Sequence, residues 1–273
     1  DTPREIYTGA IGFIAPDRQA QFSVPIRTVL VDNKTNKASY GAGGGIVWDS
    51  DFLSELDECM TKSKILTTTH INSNFELFET MLWEPKKGVF LSNFHFSRLR
   101  SSADYFGFSC DISKIEIELE RHLKGCNSES MKIKLFLSSD GSIRISNSVL
   151  TSKEQKKSYS ISLAKEPIDQ QDLFYYHKTT KREIYDQAKP MNPDSDDVLF
   201  WNEAGEITES RIANIIINID GEWYTPPIIS GLLGGTYRQM MIESQLLKER
   251  VIHKSEIINL SEITLINSVR GKF

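Results

Sequence analysis

The final third of the chain alternates short apolar runs with helical spacing. Val198–Trp201, Ile212–Ile219 and Glu222–Tyr224 read as strands, a helix follows Gly235, with Met240–Leu247 as its amphipathic body, and Ile263–Val269 reads as a last strand. Runs this short, separated by Gly, Asn and Asp, suit strands, so an all-helical fold is excluded and a mixed α+β architecture is expected. Upstream, Phe75–Trp83 predicts a strand closed by a turn at Pro85–Gly88. Asn93 suits an N-cap for a helix in which Phe96, Leu99, Ala103 and Phe106 form the buried stripe, with Arg98 and Arg100 away from it. A charged amphipathic helix over Ile112–Leu123, strands over Met131–Leu137 and Ser158–Ala164, and a solvated loop at Lys153–Lys157 complete this part.

The 273 residues allow one large domain or two small ones. With 39% hydrophobic and 25% charged residues, the chain can bury a sizeable core. A net charge of −5 provides no basic footprint, which argues against nucleic acid as a partner. No apolar run approaches the ~20 residues of a membrane-spanning helix and the first residues are not a secretory signal, so no membrane partner and a cytoplasmic location are expected. Cys59, Cys110 and Cys126 lack CxxC spacing, which suggests neither a disulfide framework nor a zinc cage.

Residues 1–66 have a different texture and predict a βββα piece. Its strands would be Ile6–Ile14, Phe22–Val31 and Ile46–Trp48, followed by a helix from about Asp51 with Leu53, Leu56, Met60 and Ile65 as its apolar stripe. The polar stretch 67–74 reads as a linker. The glycine run Gly43, Gly44 and Gly45 permits close backbone approach to a ligand, and Arg27 can grip a carboxylate. Glu55 and Glu58 share a helical face, where they are either a magnesium-binding pair or a solvated acidic surface.

Three features of the last 200 residues carry chemistry. Lys178 directly follows the aromatic run Leu173–Tyr176; burial there would lower its pKa and free the amine as a nucleophile toward a carbonyl, although a lysine in this setting commonly snorkels to water. Glu209 stands before Ser210 and a strongly apolar run, where a carboxylate can hold a proton on a heterocyclic nitrogen. Gly231–Arg238 is a glycine-rich helix start of the kind that closes on phosphate, or simply a turn.

Together and in this order, these features resemble the fold-type IV pyridoxal-phosphate enzymes, which include branched-chain and D-amino acid aminotransferases and aminodeoxychorismate lyases. Phe75–Thr80 resembles the group's opening strand, Phe94–Leu99 its phosphate-arginine helix, and Asn267–Gly271 the closing segment of the lyase branch. The resemblance implies a two-subdomain architecture, with a small subdomain over 75–165 and a large one over 166–273. It implies pyridoxal 5′-phosphate as cofactor, with Lys178 carrying its aldehyde and moving the proton, and Glu209 pairing with the ring nitrogen. Arg98, Gly235, Thr236 and Tyr237 would hold the phosphate, with Ser210, Asn214, Asn267 and Ser268 as further site residues. The aminotransferases place a tyrosine shortly after the lysine, where this chain has Arg182 and Glu183, and Gly234 stands where many relatives have proline.

Residues 1–66 resemble the carboxy-terminal end of the chorismate-utilising enzymes, component I of aminodeoxychorismate synthase and its anthranilate synthase relatives. The resemblance places Tyr7, Arg27, Gly43, Gly44 and Gly45 at substrate positions, Glu55 and Glu58 at magnesium positions, and Lys62 at the following lysine. So short a remnant of the synthase domain is expected to have no synthase activity, and magnesium belongs only to an intact domain. The two resemblances together imply the carboxy-terminal part of a fused synthase and lyase. Its activity would be cleavage of a small molecule, 4-amino-4-deoxychorismate, to 4-aminobenzoate and pyruvate on the path to folate. They further imply a homodimer, and a glutamine amidotransferase subunit for the full-length fusion. The alternatives are a fold-type IV aminotransferase and an inactive fragment.

Overall fold

The computed structural model describes residues 4–48, 50–67, 74–124, 129–150, 159–257 and 263–273, in two units, Asp1–Asn72 and Ser73–Phe273. Asp49, Cys126, Lys153–Lys157 and positions 68–73 of the expected linker lie outside the described residues.

The first unit corrects the βββα expectation to ββββα. Strands β1 (Ile11–Ile14) and β2 (Ala20–Ser23) form one antiparallel hairpin, and β3 (Val29–Asp32) and β4 (Lys37–Tyr40) another. The expected strand Phe22–Val31 is split because Pro25 has no N–H to give a ladder and Arg27 takes a left-handed φ of 53°. Residues Ile6–Gly9 wind into turns, with φ of 51° at Glu5 and 61° at Thr8, so β1 starts only at Ile11. The expected strand Ile46–Trp48 finds no pairing partner among the described residues. Helix α1 (Phe52–Thr67) begins where expected, with the Asp51 carboxylate accepting the Ser54 N–H at 3.0 Å. Of its expected stripe, Leu56 and Met60 are 48% and 57% exposed.

In the second unit, β5 (Leu77–Glu84), β6 (Gly88–Val89), β7 (Met131–Leu137) and β8 (Ile143–Val149) make an antiparallel sheet in the order β6-β5-β7-β8. Strand β8, with Ile143, Ile145 and Val149 at alternate positions, pairs with β7 along its whole length. Helices α2 (Ser92–Phe106) and α3 (Ile112–Leu123) precede β7. The cap position of α2 is Leu91, left-handed and without a side-chain cap bond, so Asn93 falls in the first turn and not at the N-cap. Gly107, at φ 71°, ends this helix.

The larger sheet gathers β9 (Ile161–Leu163), β10 (Asp197–Trp201), β11 (Ile207–Ser210), β12 (Asn214–Ile219), β13 (Glu222–Thr225) and β14 (Lys248–Glu249), with α4 (Glu183–Met191) between β9 and β10, and α5 (Thr236–Glu243) between β13 and β14. After α6 (Lys254–Ile257), β15 (Thr264–Asn267) pairs with β12 and carries β16 (Gly271–Lys272). Strand β9 pairs parallel with β10 and so belongs to the larger sheet. Strand β12 is buried on both faces: Ile215 and Ile217 pack with Leu199, Ile207, Ile252 and Leu265, while Ile216 packs with Met241, Leu247 and Ile266. Helix α5 stops at Glu243, before the expected end at Leu247, and Leu247 reaches that core from the chain that leaves it. Among the described residues no helix is long and apolar enough to cross a membrane.

Candidate active site

The segment His177–Thr180 is tied to the start of β5. The Phe78 N–H donates to the Lys178 carbonyl and the Thr180 N–H to the Glu76 carbonyl, both at 2.9 Å. This pairing carries Lys178 into a cavity of about 510 Å³ within the second unit, between Phe78, Thr80 and Phe136 of the smaller sheet and the Glu209–Asn214 turn of the larger one. Lys178, Arg98, Glu209, Ser210, Asn214, Gly235, Thr236, Tyr237, Asn267 and Ser268 all line it, so the structure brings together every second-unit residue singled out from the sequence.

Arg98 sits on the cavity flank of α2, beside the buried stripe, while Arg100 is exposed. The buried Glu79 of β5 accepts Arg98 Nε at 2.9 Å and Nη2 at 2.5 Å, and its Oε2 meets His95 Nδ1 at 2.7 Å. Burial alone would raise the Glu79 pKa, but the Arg98 and His95 charges outweigh it and hold it down at about 2. Arg98 Nη1 donates to the Gly234 carbonyl at 3.0 Å, which sets the guanidinium against the start of α5, where the first backbone N–H groups have no intrahelical acceptor.

Glu209 is buried as well. Its Oε1 accepts from Tyr185 Oη at 2.8 Å and Leu233 N–H at 3.2 Å, and its Oε2 from Asn214 Nδ2 at 3.2 Å. Burial pushes its pKa up to about 7 against these bonds. Tyr185, Glu79 and His95 were not assigned roles from the sequence. Tyr185 lies on α4 beyond the position where the aminotransferase tyrosine was sought, and only the fold shows its contact with Glu209.

Lys178 has no hydrogen-bond partner for its amine among the described residues, and Nζ lies 4.6 Å from the Phe78 ring centroid. Burial, then Arg98 and Arg182, lower its pKa to about 7. The unfolded chain therefore binds more protons at this group between about pH 7 and 10.5, and its contribution to stability rises with pH across that window. Glu209 acts oppositely: the folded state keeps the extra proton, so stability falls as pH rises from 4.5 to about 7. At ~1.4 kcal/mol per pH unit, that loss is on the order of 3 kcal/mol. Cofactor-free protein is expected to show a dip in melting temperature near neutrality, and Glu209→Gln to remove the falling limb. Melts between pH 4.5 and 10 check this, and a parallel fall in Glu209→Gln would contradict it.

Several lining residues build the wall. Ser210 Oγ donates to the Ala213 carbonyl and accepts the Ala213 N–H, both at 3.1 Å, while Asn267 Oδ1 accepts the N–H groups of Val269 and Arg270 at 3.0 and 2.8 Å. Gly235 is required by close approach, because a Cβ there would stand 1.9 Å from Asn214 Oδ1. Gly235→Ala is expected to displace Asn214 from Glu209 and Leu233 and to weaken cofactor binding at least ~10-fold; unchanged affinity by fluorescence titration would contradict this.

In the first unit, the structure clusters most of the other named residues. Tyr7 stacks against Gly41 and its hydroxyl lies by Gly43; a Cβ on Gly44 would meet Glu55 at 2.6 Å. Lys62 Nζ pairs with Glu58 at 2.5 Å and donates to the Gly43 carbonyl at 3.1 Å. Arg27 is exposed and acts on Lys62 only through its charge, and Gly45 faces open space. Among the described residues no group of three or more His, Cys, Asp or Glu side chains is placed to hold a metal.

Residues 76–273 match the family model described as amino-transferase class IV. The chain belongs to the class IV aminotransferase family. Its fold is accordingly that of the fold-type IV pyridoxal-phosphate enzymes. Residues 1–68 of this family member match a second model, chorismate binding enzyme. A Schizosaccharomyces pombe protein named "Putative aminodeoxychorismate lyase" is 29% identical over 203 residues, covering 71% of this chain and 86% of its own length. A crystal structure of a "Putative amino-acid aminotransferase" from Mesorhizobium loti is 30% identical with a TM-score of 0.68, covering 73% of this chain and 98% of that one. At the other end, a "Probable aminodeoxychorismate synthase, chloroplastic" from Oryza sativa is 41% identical over 66 residues, which is 24% of this class IV chain but only 7% of the rice protein.

Proposed function

We propose that the chain is a pyridoxal-phosphate-dependent 4-amino-4-deoxychorismate lyase that forms 4-aminobenzoate and pyruvate. The observation that carries this reading is the Lys178 amine, lowered to about pKa 7 and without a hydrogen-bond partner among the described residues, in a cavity that also holds Glu209 and Arg98. Substrate choice is supported by the chorismate-binding match in the same chain and by the name of the fission-yeast relative.

The donor set fits pyridoxal phosphate. Arg98, steered by Glu79, and the N–H groups opening α5 would take the phosphate. Glu209 already accepts bonds from Tyr185, Leu233 and Asn214, and can accept a further one from the ring nitrogen. When bound, the cofactor supplies an aldehyde for the substrate amine and a ring that draws electrons from the bond being broken. Lys178, with a pKa near 7, both accepts and gives protons at neutral pH, so it would remove the C4 proton of the substrate ring and return one to the departing enolpyruvyl carbon. Aromatisation of the ring then drives release.

The test is to mix the cofactor-loaded chain with aminodeoxychorismate and follow pyruvate without any keto acid present. The Mesorhizobium structure favours a second reading, an aminotransferase, for which product would appear only with a keto-acid acceptor. Absence of both products and of cofactor binding would assign the chain to an inactive fragment. No synthase activity, and so no magnesium requirement, is proposed for this chain.

A further inference from the structure

We infer that Arg182 and Arg211 form a carboxylate-binding recess in the candidate active site, separate from the phosphate position at Arg98. This inference rests on the proposed reaction for the identity of its ligand. Seven of the cavity-lining residues are Lys or Arg, and only two, Asp186 and Glu209, are carboxylates. That excess calls for an anionic ligand with more charge than a single phosphate supplies.

The cations differ in how far they are already compensated. Arg98 is spent on Glu79, which takes two of its N–H groups. Arg182 makes no ion pair at contact distance among the described residues, although its charge is felt by Glu209: Nη2 donates to the Arg211 backbone carbonyl at 2.5 Å, and the guanidinium lies 4.6 Å from the Tyr185 ring centroid. Both contacts fix its position without neutralising its charge. Arg211 is bonded through Nε to the Tyr185 carbonyl at 2.8 Å, and its Nη1 stands 3.5 Å from Asp197, which is fully buried. Asp197 Oδ2 has no partner among the described residues, so this carboxylate holds Arg211 to the wall from behind by charge more than by a closed hydrogen-bond pair. The result is two guanidinium groups, linked through one backbone carbonyl and partly exposed to the cavity, on the wall made by the start of α4 and the β11–β12 turn. Arg98 belongs to the wall made by α2 and α5. Planar, pre-positioned guanidinium groups can grip a carboxylate through two parallel N–H bonds, which a point-charge ammonium cannot. The ligand class is a small amine that bears a carboxylate, held by Arg182 and Arg211 while its amine faces Lys178.

The experiment compares 4-aminobenzoate with its uncharged isostere 4-aminobenzamide by calorimetry on the cofactor-loaded chain. The native chain is expected to prefer the acid at least ~10-fold, as one lost charged hydrogen-bond pair implies. Arg182→Gln and the paired change Arg211→Gln with Asp197→Asn, which leaves no buried carboxylate unpaired, are each expected to abolish that preference, with melting temperature as the folding control. Equal binding of acid and amide by the native chain, or an unchanged preference in Arg182→Gln, would overturn the recess. Pyruvate release is measured alongside. A native chain that releases pyruvate but shows no acid preference retains the lyase reading and loses the recess. A chain that releases none yet loses acid binding on Arg182→Gln retains the recess and loses the lyase reading.

Discussion

Lys178→Ala is expected to lower pyruvate release by ~10³-fold or more, while the melting temperature of the cofactor-free protein holds or rises. The substitution removes the buried cavity amine whose pKa is lowered to about 7. It also removes a desolvated cation flanked by Arg98 and Arg182, so relief of that repulsion offsets the lost packing on Phe78. Borohydride reduction in the presence of pyridoxal phosphate is expected to fix the cofactor to the peptide carrying residue 178 in the native chain and to leave the variant unlabelled. Labelling at another lysine, or full activity in the variant, would remove the basis of the proposed chemistry.

Glu79→Gln is expected to be the most destabilising single polar change in the second unit. It exchanges a carboxylate that serves Arg98 and His95 for an amide whose NH₂ must face one of two donors, leaving a buried cation unpaired. Removing one partner of a buried ion pair costs about 3–5 kcal/mol. At ~2–4 °C per kcal/mol for a unit of this size, the melting temperature should drop by roughly 10 °C. The native Glu79 is held at about 2 in the folded chain against an ordinary 4.5, so its contribution is complete above pH 4.5 and disappears as pH falls toward 2. The gap between native and variant melting temperatures should therefore close on acidification. A constant gap from pH 7 to pH 3 would show that the carboxylate's charge is not what stabilises this corner. Cofactor affinity should fall with it, because Arg98 loses the support that aims it at Gly234 and the start of α5.

Most of the second unit was legible before folding, where one residue run carries its own signal. The Ile215–Ile217 run declares a strand buried on both faces, and Phe96, Leu99 and Ala103 declare the inner face of α2. Ends were less legible: Leu91 in place of Asn93 at the start of α2, and Gln245 with φ 58° just past α5, are set by backbone geometry that tertiary packing imposes. In the first unit the strand count was misread because a proline and a left-handed arginine interrupt an apolar run that looks continuous.

Local chemistry and spacing determined which residues could act: an amine after an aromatic run, a carboxylate before a strand, glycines before a helix and an arginine on an amphipathic helix. Those features depend on neighbours a few positions away and are present in the unfolded chain. Only the tertiary structure decided what surrounds them. Tyr185 on Glu209, Glu79 between Arg98 and His95, and Asp197 behind Arg211 join residues brought together by strand pairing and helix packing. The displaced proton affinities of Lys178 and Glu209 arise there too, because a shift of that size needs water removed from all sides, which no local stretch of sequence can arrange.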